Sequence, residues 1–226
     1  MSILHYDTET TGLFLKGIPS DDPGQPKMLS LSAILDDDNG NTRGVMSMLV
    51  RPEGWKIDER MKGDDGKPTA FAINGISNAI ANKYGRPLGQ VMSEFALMAK
   101  YADVFCAFSH HFDFKFIKIS CAQLGKPGDV LRKYFETKSA ICTMESAAKH
   151  LNGPTQRFIK LQVAFNKLHG RDFGGAHNSL ADANASRMVY AKLKELKALP
   201  EPKSLEAREY DTPPPGKTGA TAEVDF

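Results

Sequence analysis

Residues His5-Tyr6-Asp7-Thr8-Glu9-Thr10-Thr11-Gly12-Leu13 constrain this chain more than any other segment. An apolar, strand-like run (Ile3, Leu4, Tyr6) leads straight into two carboxylates spaced two apart, and then into a glycine turn. Strand side chains alternate between faces, so Asp7 and Glu9 can share one side. Carboxylates held that close repel, and each shifts toward its neutral form unless a cation sits between them. The spacing therefore points to a divalent metal site. Taken alone, the pair also fits a solvated turn at a strand end, so partners from elsewhere in the chain must decide.

Two further acids stand far away in sequence. Asp113 lies in the segment from Ala107 to Ile117, where an apolar run (Val104, Phe105, Cys106, Ala107, Phe108) gives way to a helical pattern through Ile117 and Cys121. Asp182 opens a long helix with apolar positions at Leu180, Met188, Val189, Leu193 and Leu196, and His177 precedes that helix, facing the same end of the sheet as the carboxylates. Each has a plainer reading. A first-turn aspartate such as Asp182 is favoured by the helix dipole, and a lone histidine is more often a surface or cap residue than a base. His110 and His111 read as loop or helix-start residues. Phe108, Phe112, Phe114 and Phe116 suit either a base-stacking platform or the core; Phe108 and Phe116 are read as core, and Phe112 is open.

Read together, D-x-E-T-T-G-L, then F-D after a strand, then H-x-x-x-x-D-A on a C-terminal helix resemble the three motifs of the DEDD exonucleases, in the subgroup with a histidine in the third motif. These are the relatives of the replicase proofreading subunit, exonuclease X, ribonuclease T and oligoribonuclease. The resemblance spans residues 1–198 and extends to Phe71-Ala72-Ile73-Asn74-Gly75-Ile76-Ser77 before the second motif and Ile141-Cys142-Thr143-Met144 after it. It departs at Ser109, where relatives carry asparagine, and at Asn74, where they tend to carry histidine. Neither change removes a metal ligand; both bear on substrate preference.

The resemblance implies a ribonuclease H-like α/β fold, a mixed sheet flanked by helices in a single domain. It also implies a metal-dependent 3′-to-5′ exonuclease that releases nucleoside 5′-monophosphates from DNA. Asp7, Glu9, Asp113 and Asp182 would bind two magnesium ions, with manganese as a substitute, because an all-oxygen ligand set favours these ions over zinc. His177 is the implied general base, since imidazole titrates near the working pH. Thr10, Thr11, Gly12 and Leu13 would touch the terminal nucleotide, the turn amides toward its 3′-hydroxyl and Leu13 against its base. Ser109 and Phe112 complete the candidate substrate contacts. An RNA 3′-exonuclease is the near alternative, because these motifs do not encode discrimination at the 2′-hydroxyl. A non-catalytic nucleic-acid or polymerase-binding module is the third reading, and a complete set of acids plus histidine argues against it.

Composition bounds the rest. A chain of 226 residues, 41% hydrophobic, can bury one substantial core. Three widely spaced cysteines (Cys106, Cys121, Cys142) in apolar settings read as reduced core residues of a soluble, cytoplasmic protein, with no zinc pattern. No run is long enough for a signal peptide or a membrane span. The net charge is only +2, yet residues 100–175 hold twelve Lys and Arg against six Asp and Glu, an excess suited to a phosphate backbone or to solvated helix faces. The expected partner is a single-stranded DNA 3′ end; the oligomeric state is open.

Strands are expected near 2–7, 28–36, 44–50 and 103–108, with a hairpin at Asp38-Asn39-Gly40, and helices at 87–101, 113–124, 144–151, 158–168 and 179–198. Phe14 to Lys27 reads as a long loop beside the acids, either a solvated insertion or a gate that selects the strand. From Leu199 to Phe226 the composition turns Pro-rich and reads as a disordered tail. Within it, Gly216-Lys217-Thr218 mimics a phosphate-binding loop but lacks the required first glycine and strand. The terminal Glu223-Val224-Asp225-Phe226 is similar to the docking tails of single-stranded-DNA-binding proteins, which suggests a replication partner.

Overall fold

The structure, a computed structural model, describes residues 1–205. Along the chain come β1 (Ile3–Thr10), β2 (Met28–Asp36), β3 (Thr42–Leu49), α1 (Ala70–Asn74), α2 (Asn78–Tyr84), α3 (Leu88–Ala99), β4 (Val104–Ala107), α4 (His110–Gln123), α5 (Lys126–Glu136), β5 (Ser139–Cys142), α6 (Thr143–Asn152), α7 (Leu161–His169), α8 (Ser179–Glu195) and β6 (Lys203–Ser204). The strands form one mixed sheet in the order β3-β2-β1-β4-β5-β6, with β1, β4 and β5 parallel.

Period-two alternation sorts β1 between two helical layers. Leu4 and Tyr6 join Leu31, Ala33 and Phe105 beneath α3, α4 and α5, where the rings of Tyr6, Phe95, Phe105 and Phe135 meet edge-on or tilted at 5.4–6.0 Å. Ile3 faces the other way, with Val104, Cys106 and Ile141 against Tyr190 of α8. Each fully buried large side chain of this kind stabilises the fold by roughly 1.5–3 kcal/mol. Strand β2 is buried along its whole length. Its two serines are satisfied there, because Ser179 Oγ shares hydrogen bonds with Ser30 Oγ at 2.9 Å and Ser32 Oγ at 2.7 Å.

The β2–β3 hairpin closes as its sequence suggests: Asp37 Oδ1 accepts from the amides of Asn39 and Asn41, and Gly40 takes φ 80°. Five elements went unanticipated: α1, α2, α5, β5 and, at the end of the described chain, β6. Helices α1 and α2, of five and seven residues, are too short to display a helical period; Thr69 and Ser77 cap them by accepting from Ala72 N and Ile80 N, and Gly75 ends α1 at φ 69°. Helix α5 starts at Lys126-Pro127-Gly128, a turn-like sequence that becomes helical because Gly128 lets the backbone lie against the Cys121 carbonyl. Strand β5 is only four residues long, and its ladder to β4 defines it.

Beyond the boundary expected at Leu199, a short segment still meets the sheet. Lys203 and Ser204 pair with β5, Leu205 N donates to Lys138 O at 2.9 Å, and Leu205 is buried, so residues 203–205 lie against the sheet edge. The expected disordered tail from 206 onward and the docking motif at Glu223 to Phe226 lie outside the described residues. Among those described, the three cysteines are free thiols and no helix is long and apolar enough to cross a membrane.

Candidate metal centre and catalytic cleft

Strand β1 continues three residues past its expected end at Asp7, and that extension carries Glu9, the second acid of the first motif. Asp7 pairs with Ser32 and Glu9 with Ser30, on the face that α8 covers; the register shifts immediately after Glu9. Ser179, clasped by those same two serines, sets the first turn of α8 over them. Asn178 caps that turn by accepting from Leu180 N and Ala181 N. Asp182 follows one turn later, so carboxylate oxygens of Asp7, Glu9 and Asp182 lie within 4.8 Å of one another.

Asp113 arrives from the opposite layer. It sits in the first turn of α4, is buried, and its Oδ1 accepts from Thr8 N at 3.1 Å and Thr8 Oγ1 at 2.8 Å. Thr8 points away from Asp7 and Glu9 and ties the fourth acid to the same strand. His177 lies just before α8 at φ 65°, an uncommon left-handed conformation for a side-chain-bearing residue, and its amide donates to Asp182 Oδ2 at 3.0 Å. Its side chain lines a cleft of about 300 Å³ together with Glu9, Met48, Asn74, Ile76 and Ser179.

Burial pushes all four acids toward the neutral form, and repulsion from neighbouring carboxylates adds to this for Asp7, Glu9 and Asp113. Burial and then the charges of Asp113, Asp182 and Glu9 raise Asp7 well above the usual carboxylate range. Glu9 is raised to about 8 by burial and then by Asp182, with a hydrogen bond from Asn74 acting the other way. Asp113 reaches about 7, mainly through burial and despite the Thr8 bonds, and Asp182 about 6, mainly through burial. Asp182 Oδ1 is buried with no hydrogen-bond partner. A hard divalent cation fits this site: it offers several carboxylate oxygens, one of them unsatisfied, and no nitrogen or sulfur ligand within the cluster.

The other sequence candidates fall less uniformly. Thr10 Oγ1 donates to Gly12 O at 2.9 Å, and Thr11 exchanges bonds with Lys27, its amide to Lys27 O and its Oγ1 from Lys27 N, both at 2.9 Å. The Thr11 amide is thus hydrogen-bonded within the protein. Leu13 is exposed. Ser109 makes no side-chain cap on α4. Phe112 is partly buried and packs on Phe116 at 4.9 Å and Phe14 at 6.3 Å; Phe108 and Phe116 are core. His110 is buried with its Nδ1 3.0 Å from Tyr6 Oη, and His111 faces Glu145 at 3.7 Å.

Sequence reasoning missed the contribution of Asn74, treating it only as a departure from relatives. Asn74 ends α1, its Oδ1 accepts from Ile76 N at 3.0 Å, and its amide group reaches Glu9. It also missed Thr8, Ser30, Ser32 and Ser179. The signal was present only as small polar residues at strand positions that otherwise read as apolar and, for Ser179, at the first position of α8.

No protein-family model matches the sequence, and no curated protein matches it. Solved structures do. A full-length 3′-exonuclease superposes with TM-score 0.62 at 18% identity, over 89% of this chain and 62% of that one. Escherichia coli exonuclease I, in a zinc-bound complex with single-stranded DNA, gives TM-score 0.62 at 16% identity, over 87% and 41%. Exonuclease I from Methylocaldum szegediense gives TM-score 0.58 at 19% identity, over 86% and 40%. The chain spans 40–62% of the length of these three proteins. It therefore has the ribonuclease H-like fold found in these exonucleases, a six-stranded mixed sheet flanked by helices.

Proposed function

We propose that the protein is a divalent-metal-dependent 3′-to-5′ exonuclease that acts on DNA and releases nucleoside 5′-monophosphates. The observation that carries this reading is the convergence of Asp7, Glu9 and Asp182 within 4.8 Å, with Asp113 tied to the same strand and His177 beside them. Four acids pushed toward neutrality in a partly buried cleft are costly to the fold unless charge compensation supports function.

In this reading Asp7, Glu9, Asp113 and Asp182 hold two magnesium ions. When bound, the ions stabilise charge on the phosphoryl oxygens and on the departing 3′-oxygen. The remaining steps belong to the chain. His177 accepts a proton from the attacking water as its oxygen bonds to phosphorus and the P–O3′ bond breaks. The 3′-oxygen takes a proton from solvent, and the terminal nucleotide leaves as a 5′-monophosphate. Asn74 holds Glu9, and Thr8 holds Asp113, so neither carboxylate must be reoriented during turnover.

The structural likeness to exonucleases supports the fold side of this reading, and one of those structures holds single-stranded DNA. The test is degradation of 5′-labelled DNA and RNA oligonucleotides with magnesium or chelator, using wild type and Asp7→Ala. A magnesium-dependent ladder shortening from the 3′ end of DNA, absent in the variant, is expected. Faster RNA cleavage would move the substrate to RNA, and no cleavage of either by folded wild type would overturn the enzyme.

A further inference from the structure

The loop between β1 and β2 inverts the usual rule of burial. Its polar Gln25 is 1% exposed, whereas Leu13, Leu15 and Ile18 are 41%, 42% and 38% exposed. Gln25 acts as an internal clamp: its Oε1 accepts from Leu15 N at 3.0 Å, and its Nε2 donates to Leu15 O at 3.0 Å, Ile18 O at 2.9 Å and Pro19 O at 3.3 Å. The loop ends are joined by the two Thr11–Lys27 bonds, and Lys27 Nζ reaches Pro23 O at 3.1 Å. Single exposed aliphatic side chains are ordinary on protein surfaces. Three within six residues, on a backbone held in shape by a buried amide, form a surface built to meet something.

Its position, with an exposed lysine between Leu15 and Ile18, identifies the occupant. The loop continues directly from Glu9, and it lies along α4 beside Asp113, because Phe14 packs on Phe112 and Phe116 and Ser20 Oγ lies 3.5 Å from Lys115 Nζ. Lys16 is exposed on the same segment. Apolar side chains flanked by cations, beside a cleft that receives a nucleic-acid end, match the two parts of an unpaired strand: base faces and backbone phosphates. In a duplex those base faces are stacked and out of reach.

We propose that Leu15 and Ile18 form a shelf for the bases of an unpaired strand next to the scissile nucleotide, with Lys16 and Lys115 toward its phosphates and Gln25 as the positioning residue that holds the shelf. This rests on the exonuclease reading and narrows it to single-stranded 3′ ends.

The test uses the full chain with Leu15 and Ile18 both replaced by serine, and circular dichroism to verify folding. Two readouts are taken: binding of 5′-fluorescein-labelled dT12 by anisotropy in chelator, and kcat/KM for a twelve-nucleotide strand relative to a dinucleotide. Binding weaker by about five- to tenfold, with a similar fall in the kcat/KM ratio, is expected from loss of base stacking. Gln25→Ala should reproduce the loss where it folds; the serine variant, altered only at exposed positions, carries the test where it does not. Unchanged binding and an unchanged ratio would overturn the shelf. If dT12 binding is unchanged but wild type self-associates in sedimentation and the serine variant does not, the surface serves a second copy of the chain and the inference is overturned. Wild type that binds dT12 through the shelf yet cleaves nothing would leave the shelf standing and sink the exonuclease reading.

Discussion

Both hydrogen-bond donors of Thr8, its amide at 3.1 Å and its hydroxyl at 2.8 Å, converge on one oxygen of Asp113, 105 residues away. The residue between the two acids of β1 thereby secures the acid contributed by the opposite helical layer. One strand orders three of the four carboxylates.

Thr8→Val retains the backbone donor and the side-chain shape but deletes the hydroxyl. Loss of a hydrogen bond to a charged group costs about 1.5–3 kcal/mol, so kcat is expected to fall by roughly ten- to a hundredfold. Thr8→Ser should retain most of the wild-type rate. Steady-state kinetics on a labelled DNA strand, with calorimetric titration of manganese, would check this; equal rates for Val and wild type would remove Thr8 from the site.

Asn74 presents its amide group to Glu9 while its Oδ1 is engaged by Ile76 N. Asn74→Ala frees Glu9, and the manganese concentration for half-maximal binding is expected to rise by about three- to tenfold. Asn74→His keeps one donor and one acceptor and should recover part of the loss. Electron paramagnetic resonance of free manganese reads the affinity without requiring turnover.

In the proposed reaction His177 acts through its imidazole, while its backbone amide bonds Asp182. Glycine tolerates φ 65° without strain, so His177→Gly keeps the amide bond to Asp182 while removing the ring. Manganese binding should change little and kcat should fall by about a hundredfold or more. Single-turnover cleavage measures the second effect, and loss of metal binding in this variant would assign His177 to the metal site instead.

In the metal-free protein, Glu9 and Asp113 titrate near 8 and 7, far above their unfolded values. The folded state then holds more protons than the unfolded state, and stability falls as pH rises through those values. Two buried histidines, His5 and His110, are lowered to about 3 by burial and act in the opposite sense below their usual value of 6.5. Between about pH 6.5 and 8 the histidines are neutral in both states and only the acids contribute. Melting in chelator should therefore drop across that window, and magnesium should raise Tm most at its upper end. A chelator Tm independent of pH there would refute the clustering of the acids.

Much of the site was legible in the sequence because it obeys local rules. Asp7 and Glu9 share a face through strand periodicity, and Asp182 sits at a helix start with His177 just before it. The order of strands and helices suggested the mixed sheet. What periodicity could not reveal is how short elements form: α1, α2 and β5 exist through caps and pairing partners, and β6 exists because β5 offers it an edge. Nor could spacing show that Thr8 holds Asp113, that Asn74 reaches Glu9, or that Ser179 is clasped by Ser30 and Ser32, since each contact joins residues on separate elements. The loop after Leu13 was legible as a loop but not as a rigid one, because only the folded chain buries Gln25. The sequence by itself determined which side chains could carry the chemistry. The tertiary structure decided which small polar residues hold them, because a hydrogen bond between distant segments exists only after the sheet and its two helical layers bring its donor and acceptor together.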